Sequence, residues 1–476
     1  MEGIRIYQLL SKASRPQLNR FEKFIASPYF NKNAPITALS EVLIQSIKTE
    51  TSPPSKHDFW NNSIKATKGE YDDLKFRKIC NDVLDRYEQF LINEELAKNR
   101  LLKSNLLLSS IKENKLIGLA EKHISKSAKV IERSVDQSAD FYLQKYMYNK
   151  SIYNLKTNYE KKAQIKKTID SITYKDLSEN LDAFYVIEKL RHATDVLSWR
   201  KIYKSNIEVD ISTALMMIDN LNLSEIPAVK IYYLMYLLMS DDGMQSDFKL
   251  LRGLAEEQID VFPASERREI LDVLLTYCIK ESNKGSSVLY EDLLNLYDWG
   301  IDSEIMLENG TLSPTTFRNY VLAGLRSSSY PEVEKFIKLR APLLEQKHRE
   351  NAVYFSSARL NFYKKNYNEV ITNLSKVTYD DVFYAVESRM LLMATYFENR
   401  DFDPLESTVD AFLKFLQREK KLESFKKNAY LNFCKYLRRF IQFKEKDYDA
   451  FMTKIVETNP MYNKAWLLKK VEAYKA

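Results

Sequence analysis

Glycine is scarce in this sequence, with 9 residues among 476. Average usage would supply roughly 33. Tight hairpins, phosphate-binding loops and the turns of doubly wound α/β proteins depend on glycine, because only glycine adopts positive φ without steric cost. So little glycine disfavours both doubly wound and all-β folds. No glycine precedes lysine, and GxGxxG and GxSxG are absent, so the sequence predicts neither a nucleotide cradle nor a nucleophile elbow.

Cysteine and histidine are also few and scattered. Cys80, Cys278 and Cys434 lie far apart, and none has the CxxC spacing of a zinc knuckle or a redox dithiol. Isolated thiols of this kind fit a reducing compartment. The 4 histidines are isolated too, so HExxH and related zinc patterns are absent. We therefore expect no metal, no cofactor and a cytoplasmic location.

No apolar run approaches the length of a membrane span. The longest, Ile231–Met239, covers about half of the roughly 20 residues that a spanning helix needs. Near the N-terminus, Lys12 and Arg15 interrupt the chain too early for the apolar stretch of a signal peptide. The sequence predicts no membrane span and no secretory leader.

What is present is helical periodicity. Apolar residues recur at steps of three and four, as in the series Ile79, Val83, Tyr87 and Phe90. We find no convincing alternation with a period of two. The sequence therefore predicts an all-α protein in which helices hold more than about 65% of the residues, roughly double the globular average.

Capping residues placed before proline punctuate this pattern. Ser313-Pro314, Asp403-Pro404 and Asn459-Pro460 each set a capping side chain before a proline. Proline suits the first helical position because its missing N–H has no intrahelical partner there. Each pair predicts a helix start at the proline. Glu406 stands three residues after Asp403, a spacing that resembles a capping box.

Three regions are predicted along the chain. Residues 1–97 form a helical N-terminal cap domain, interrupted at Ser27-Pro28, where an aromatic, asparagine-rich loop begins. Residues 98–345 form an irregular array of helix pairs. Residues 346–476 form repeats that end in a capping helix, in which Trp466 is expected to pack on the preceding helix pair.

The repeat prediction depends on a 35-residue offset in the C-terminal third. Aligning Asn366-Tyr367 with Asp401-Phe402 brings three apolar pairs into register: Phe362 with Phe397, Val370 with Leu405, and Leu374 with Val409. The segment 351–476 resembles degenerate tetratricopeptide repeats, which have a period near 34. The resemblance implies an α-α superhelix, a solenoid of stacked helix pairs. The whole chain is also similar to large bacterial helical proteins with an N-terminal Ser-Pro-Tyr-Phe-Asn element, which implies a fold and no activity.

Charge is distributed unevenly around the net +7. Residues 98–175 carry 17 Lys and Arg against 7 Asp and Glu, a net of +10. Residues 205–312 carry a net of −13, and residues 414–446 a net of +8. The basic segments either meet an anionic partner or are solvated faces that keep the protein soluble. Contact with the protein's own acidic middle is the third possibility.

Within the first basic segment, Lys161, Lys162, Lys166 and Lys167 follow Tyr159 at helical spacing. These five residues are the candidate partner-binding surface. Six aromatic residues between 141 and 159 could stack on nucleic acid bases, but at helical spacing they fit a core better.

The predicted function is a non-catalytic adaptor or scaffold that binds another protein along a solenoid groove. The alternative is binding of nucleic acid, a ribonucleoprotein or another anionic surface through segments 98–175 and 414–446. An enzyme is not expected, because no catalytic pattern stands out.

Overall fold

The structure is a computed structural model, and it describes residues 1–159, 174–203, 206–240, 243–283, 289–379, 381–420, 422–441 and 448–475. About 80% of the protein is helical, with almost no sheet. The all-α prediction and the expected helix content above about 65% are confirmed.

Helices α1–α12 lie in the first half of the chain. They are α1 (Arg5–Leu10), α2 (Arg15–Ala26), α3 (Ala34–Thr49), α4 (Lys56–Phe59), α5 (Lys65–Lys68), α6 (Asp73–Lys98), α7 (Arg100–Glu113), α8 (Ala120–Glu132), α9 (Ala139–Tyr159), α10 (Tyr174–Tyr203), α11 (Ser212–Asn220) and α12 (Pro227–Met239). A π-helical turn, Trp60–Ile64, joins α4 to α5.

In the described residues of the second half there are twelve more helices and two short strands. The helices are α13 (Gln245–Gln258), α14 (Ala264–Asn283), α15 (Leu289–Asp302), α16 (Pro314–Arg326), α17 (Tyr330–Arg340), α18 (Gln346–Tyr363), α19 (Tyr367–Leu374), α20 (Val382–Asn399), α21 (Phe402–Arg418), α22 (Ser424–Ile441), α23 (Tyr448–Glu457) and α24 (Lys464–Lys475). The strands are β1 (Leu307–Glu308) and β2 (Thr311–Leu312).

The chain divides into two compact units, each made from two stretches of sequence. Unit 1 comprises Met1–Lys189 and Ile211–Val229, and unit 2 comprises Leu190–Asp210 and Lys230–Ala476. The domain boundaries predicted at 97 and 345 stay predictions.

Helices α1–α6 of unit 1 enclose one apolar core, whose buried residues all lie between Ile6 and Phe90. Trp60 is fully buried at the start of the π-helical turn, where its Nε1 donates to the Gly69 carbonyl at 2.8 Å. A buried indole needs such an acceptor, because an unsatisfied N–H in the core is costly. The hydrogen bond thus fixes the loop at Gly69 to the core.

The Ser-Pro-Tyr-Phe-Asn element closes a turn between α2 and α3. Asn31 is buried and donates to the Ile25 carbonyl at 3.1 Å and to Thr37 Oγ1 at 2.9 Å. Its own Oδ1 accepts from the Asn33 backbone N–H at 2.9 Å. Asn31 thus gives hydrogen-bond partners to a carbonyl, a hydroxyl and a backbone N–H of the turn. This explains why an asparagine occupies the position.

The longest apolar run lies in α12 of the chain. Ile231, Tyr232 and Met235 are buried there. No helix in the described ranges combines the length and apolarity that a bilayer crossing requires.

From α16 to α22, consecutive helices pack on each other. Alternate helices also contact each other, as α16 does with α18 and α18 with α20. Asn351, near the start of α18, donates to the Thr378 carbonyl just after α19 at 3.1 Å. Helices α18 and α19 are therefore antiparallel. Tyr462, just before α24, donates its backbone N–H to the Ala429 carbonyl near the start of α22 at 3.1 Å, so α22 and α24 run in the same direction.

Positions matched by the 35-residue offset share the same burial. Val370 and Leu405 are both fully buried, and Leu374 and Val409 are both buried in the second helices of their pairs. Ala358 is fully buried in α18.

One part of the secondary structure contradicts the sequence prediction. Strands β1 and β2 pair as an antiparallel hairpin, although no strand was predicted. Asn309 and Gly310 have φ of 51° and 78°, the left-handed values of a tight hairpin turn. An Asn-Gly pair is itself a hairpin signal, but strands of two residues are too short to show alternation.

Two of the three predicted helix starts are also wrong. Ser313 does cap α16, accepting from the Thr316 N–H at 3.0 Å, with Pro314 in the first turn. In contrast, α21 begins at Phe402, so Asp403 and Pro404 already lie within it. Pro460 lies in a loop before α24, which begins only at Lys464. Proline is tolerated anywhere in the first turn, so it marks a start only to within a few residues.

Trp466 packs on the preceding helices, as predicted. Its ring lies edge-on to Phe397 at 5.4 Å and tilted against Phe433 at 6.0 Å, and its Nε1 donates to Glu398 at 3.2 Å. The ring is only partly buried.

We therefore expect Trp466→Ala to lower the free energy of unfolding by about 2 kcal/mol, less than the 3–5 kcal/mol typical of a fully buried tryptophan. Urea unfolding followed by circular dichroism measures this. A stability equal to that of the unmodified protein would show that α24 does not contribute to this core.

Candidate functional site

Most of the predicted partner-binding residues lie outside the described part of the structure. Lys161, Lys162, Lys166 and Lys167 fall within residues 160–173. Tyr159 is the last residue of α9, and its side chain is not described either. The lysine surface stays a prediction.

Three of the six aromatic residues between 141 and 159 lie in the core. Phe141, Tyr142 and Tyr148 are buried. Tyr148 donates its hydroxyl to the Ile124 carbonyl at 2.9 Å, which ties α9 to α8. Burial raises the pKa of Tyr148 to about 12, so this hydroxyl stays protonated. These three rings are not available to stack on a base.

The same basic segment contains a groove in unit 1, with a volume of about 730 Å³. The end of α6, the first turn of α7, the last two turns of α8 and the first turn of α9 surround it. Its volume lies within the range of about 300–1,000 Å³ typical of ligand pockets. We call it the basic groove, and the lining residues used below are Arg100, Leu101, Lys126, Lys129, Val130, Ile131, Arg133, Val135, Asp136, Asp140 and Phe141.

Polar contacts hold α8, one wall of the basic groove, against α7. Ser104 Oγ lies 2.6 Å from Ser127 Oγ and 3.0 Å from His123 Nε2. Ser104 and Ser127 are buried, so these hydrogen bonds offset the cost of removing both hydroxyls from water. His123 thus has a packing role at the boundary between core and surface.

The floor of the basic groove is apolar. Leu101 and Phe141 are buried, and Val130 and Ile131 are partly buried. Val135, in the loop after α8, is 69% exposed at the rim. A ligand that covered this floor would bury apolar surface at roughly 25 cal/mol per Å².

Cations surround the floor. Lys126, Lys129 and Arg133 follow one another by three and four positions, so they share one face of α8. Arg100 lies across the groove in the first turn of α7. All four side chains are exposed, and none forms an ion pair with a carboxylate of the described residues.

The two carboxylates of the basic groove are already engaged. Asp136 accepts from the Ser138 N–H at 2.8 Å and fixes the loop. Asp140 accepts from Gln144 at 3.3 Å, and its place in the first turn of α9 favours a negative charge. Neither forms an ion pair with any of the four cations.

Cations in the C-terminal helices are in a different situation. Arg359 forms an ion pair with Glu387 at 2.8 Å, joining α18 to α20. Glu387 also accepts from Tyr462 at 2.8 Å and from Tyr430 at 3.4 Å. The carboxylate therefore connects helices of successive pairs, and Arg359 is used within the fold.

Aromatic rings occupy two further arginines of this region. The Arg318 guanidinium lies 3.8 Å from the Phe383 ring centre, and that of Arg389 lies 4.4 Å from the Tyr379 ring centre. Such stacking contributes about 0.5–2 kcal/mol. Burial lowers the pKa of Arg389.

The second basic segment has a smaller cleft, of about 370 Å³, between α21 and α22. Lys435, Arg438 and Arg439 line it. Arg438 forms an ion pair with Asp410, whereas Lys435 and Arg439 have no ion pair with any described carboxylate.

Candidate chemistry is sparse in the described ranges. No group of three histidine, cysteine, aspartate or glutamate residues there could hold a metal ion. Burial raises the pKa of Cys80 to about 11, and those of Cys278 and Cys434 to about 12. All three thiols are thus protonated at neutral pH, which is unfavourable for nucleophilic attack.

The basic groove was not predicted from the sequence, although part of the residue pattern that forms it is visible there. The spacing of Lys126, Lys129 and Arg133 was visible, but their convergence with Arg100 depends on tertiary packing. Comparison with protein-family models, with curated proteins and with solved structures finds no match to this chain. Function is therefore argued from the geometry of the site.

Proposed function

We propose that this protein is a non-catalytic adaptor or scaffold that binds an acidic, apolar segment of another protein in the basic groove. One observation carries the proposal: four exposed cations without an ion-pair partner in the described chain surround an apolar floor. Arg318, Arg359 and Arg389, by contrast, are engaged within the protein.

The relative free energies of ion pairing and of apolar burial define which side chains the partner must contain. An exposed ion pair contributes about 0.2–1 kcal/mol. Burying one leucine-sized side chain contributes about 1.5–3 kcal/mol. The floor would therefore supply most of the affinity, while the cations would select acidic sequences and accelerate their association. A purely acidic segment would bind weakly.

We further infer that residues 346–476 form a tetratricopeptide-like solenoid that serves as the scaffold. The starts of α19 and α21, Tyr367 and Phe402, are separated by the predicted offset of 35 residues. Contacts between α18 and α20, and between α22 and α24, fit helix pairs that stack in one direction.

The test is charge reversal at the basic groove. We expect Lys126→Glu, Lys129→Glu and Arg133→Glu together to weaken binding of a short peptide that alternates glutamate with leucine by about one hundredfold. Each reversal replaces an attraction by a repulsion, a change of about 1 kcal/mol, and each 1.4 kcal/mol is tenfold. Fluorescence anisotropy at low salt measures the affinity.

The matched control reverses three exposed lysines of the same segment that do not line the basic groove: Lys103, Lys112 and Lys122. It changes the net charge by the same amount and should weaken the peptide only slightly. If both triple variants weakened peptide binding equally, net charge alone would explain the effect, and this would contradict the proposal. So would equal binding of a peptide in which glycine replaces each leucine.

Nucleic acid binding through segments 98–175 and 414–446 is the second candidate. Lys435 and Arg439, exposed on α22, favour it. Against it, Phe141, the one aromatic residue of the described lining of the basic groove, is buried. An oligouridylate that bound more tightly than the peptide, with an affinity falling steeply as salt rises, would support this candidate instead.

A further inference from the structure

A small cleft in unit 2 has a different character from the basic groove. It lies where the end of α14, the first part of α15 and the end of α16 meet, and its volume is about 160 Å³. Leu293, Leu322 and Ala323 contribute apolar walls, while hydroxyl, amide and guanidinium groups supply the remaining surface. It takes part in none of the contacts described for the basic groove.

Ser282 lines this cleft with an unsatisfied hydroxyl. The residue is 6% exposed, and its Oγ has no hydrogen-bond partner among the described residues. Leaving a buried hydroxyl unpaired is unfavourable, because the group has given up its hydrogen bonds to water. An acceptor bound in the cleft would replace one of them.

Tyr297 adds a second donor. It is 4% exposed, and burial raises its pKa to about 12, although a hydrogen bond with Asn319 opposes the shift. Tyr297 lines the cleft with a phenol that is protonated at neutral pH, so it can donate a hydrogen bond to an acceptor bound there.

Arg326 supplies the charge. It is exposed at the end of α16, and it is the one charged side chain among the described residues that line the cleft. Toward the described residues, one of its five N–H donors is used, to Asn283 Oδ1 at 3.4 Å. The cleft is thus locally cationic although residues 205–312 carry a net charge of −13.

We propose that this cleft binds a carboxylate carried on a small apolar group. Arg326 contacts the carboxylate, Ser282 and Tyr297 donate hydrogen bonds to its oxygens, and the apolar walls enclose the attached group. A guanidinium is suited to this role because its N–H donors match the geometry of a carboxylate.

The volume sets the size of the ligand. A cavity of about 150 Å³ in another protein holds one benzene molecule, so the cleft fits a ring or a short branched chain. Free carboxylic acids and the C-terminal residue of a peptide both present this chemistry.

Benzoate is the probe, titrated into the full-length protein by isothermal calorimetry. We expect measurable binding that Arg326→Gln weakens about tenfold or more, because a charge-assisted hydrogen bond is lost. Benzamide, which has the same shape and no charge, should bind more weakly than benzoate. Ser282→Ala should weaken benzoate several-fold.

Arg268→Gln is the matched control, since Arg268 is a partly buried arginine of unit 2 that pairs with Asp272 outside the cleft. It removes the same charge and should leave the affinity for benzoate unchanged. Melting temperatures of all variants check that the fold is retained.

Two arms distinguish the sources of the carboxylate. A peptide that ends in phenylalanine with a free carboxylate is compared with its amidated form and with benzoate. Tighter binding of the free-acid peptide than of benzoate assigns the cleft to a chain terminus, and the reverse order assigns it to a small acid. No binding of either acid, or equal affinities in the Arg326→Gln and Arg268→Gln variants, would overturn the proposal. Neither result bears on the peptide bound in the basic groove.

Discussion

Replacing Trp60 by alanine is expected to lower the free energy of unfolding by about 4–5 kcal/mol. The ring is fully buried among helices α3–α6, and its Nε1 donates to the Gly69 carbonyl. The substitution removes the contacts of a large aromatic side chain, leaves a cavity, and strips a carbonyl of its donor. Urea unfolding with a probe in unit 1 measures the loss.

Trp199→Ala provides the control, because this tryptophan is 47% exposed in α10. The same change in side-chain size should cost less than about 1 kcal/mol there. Trp60→Phe should fall between the two, since it keeps part of the packing and loses the hydrogen bond. A loss at Trp60 no greater than that at Trp199 would mean that the core around the π-helical turn is not rigidly packed.

Removing Arg191 is expected to cost about 3 kcal/mol, because it takes away a cation that lies beside a buried carboxylate. Glu266 is 5% exposed and accepts a hydrogen bond from Tyr232, which is fully buried. Arg191 lies 3.7 Å from Glu266 and 3.0 Å from Glu269. Burial, followed by the charge of Glu266, raises the pKa of Tyr232 well above its usual range, so the phenol remains a donor.

The variants Arg191→Leu, Glu266→Gln and their combination test this coupling by urea unfolding. The double variant removes both members of the Arg191–Glu266 pair, so the combined loss should be smaller than the sum of the single losses. Strictly additive losses would show that the two side chains contribute independently.

Local sequence signals predicted the helices well, because each depends on residues close in the chain. The steps from Ile79 to Phe90 follow one buried face of α6, and Ser313 caps α16 as a local rule requires. These local rules failed where the same residue is compatible with more than one local structure. Pro404 is acceptable inside a first turn, and the hairpin at Asn309-Gly310 is too short for a pattern.

Sites were less predictable, because they depend on which elements meet. The excess of cations in residues 98–175 was evident, but the choice of Lys161–Lys167 followed sequence proximity. The basic groove brings Arg100 together with residues about 30 positions later in the chain. Only the packing of α7 against α8 determines that these residues meet. Ser282 carries no signal at all, because an unpaired hydroxyl is a property of its surroundings.

The division into two discontinuous units has a consequence for biosynthesis. Unit 1 is completed by Ile211–Val229, which contains α11 with the buried residues Ala214 and Ile218. A ribosome delivers the chain from its N-terminus, so unit 1 lacks part of its core until residue 229 has left the exit tunnel. By then the first stretch of unit 2, Leu190–Asp210, has also left the tunnel. It cannot complete its packing until Lys230–Ala476 has been synthesised. A nascent chain stalled near residue 200 should therefore expose apolar surface to chaperones, whereas the core of α1–α6, complete by residue 98, can already form.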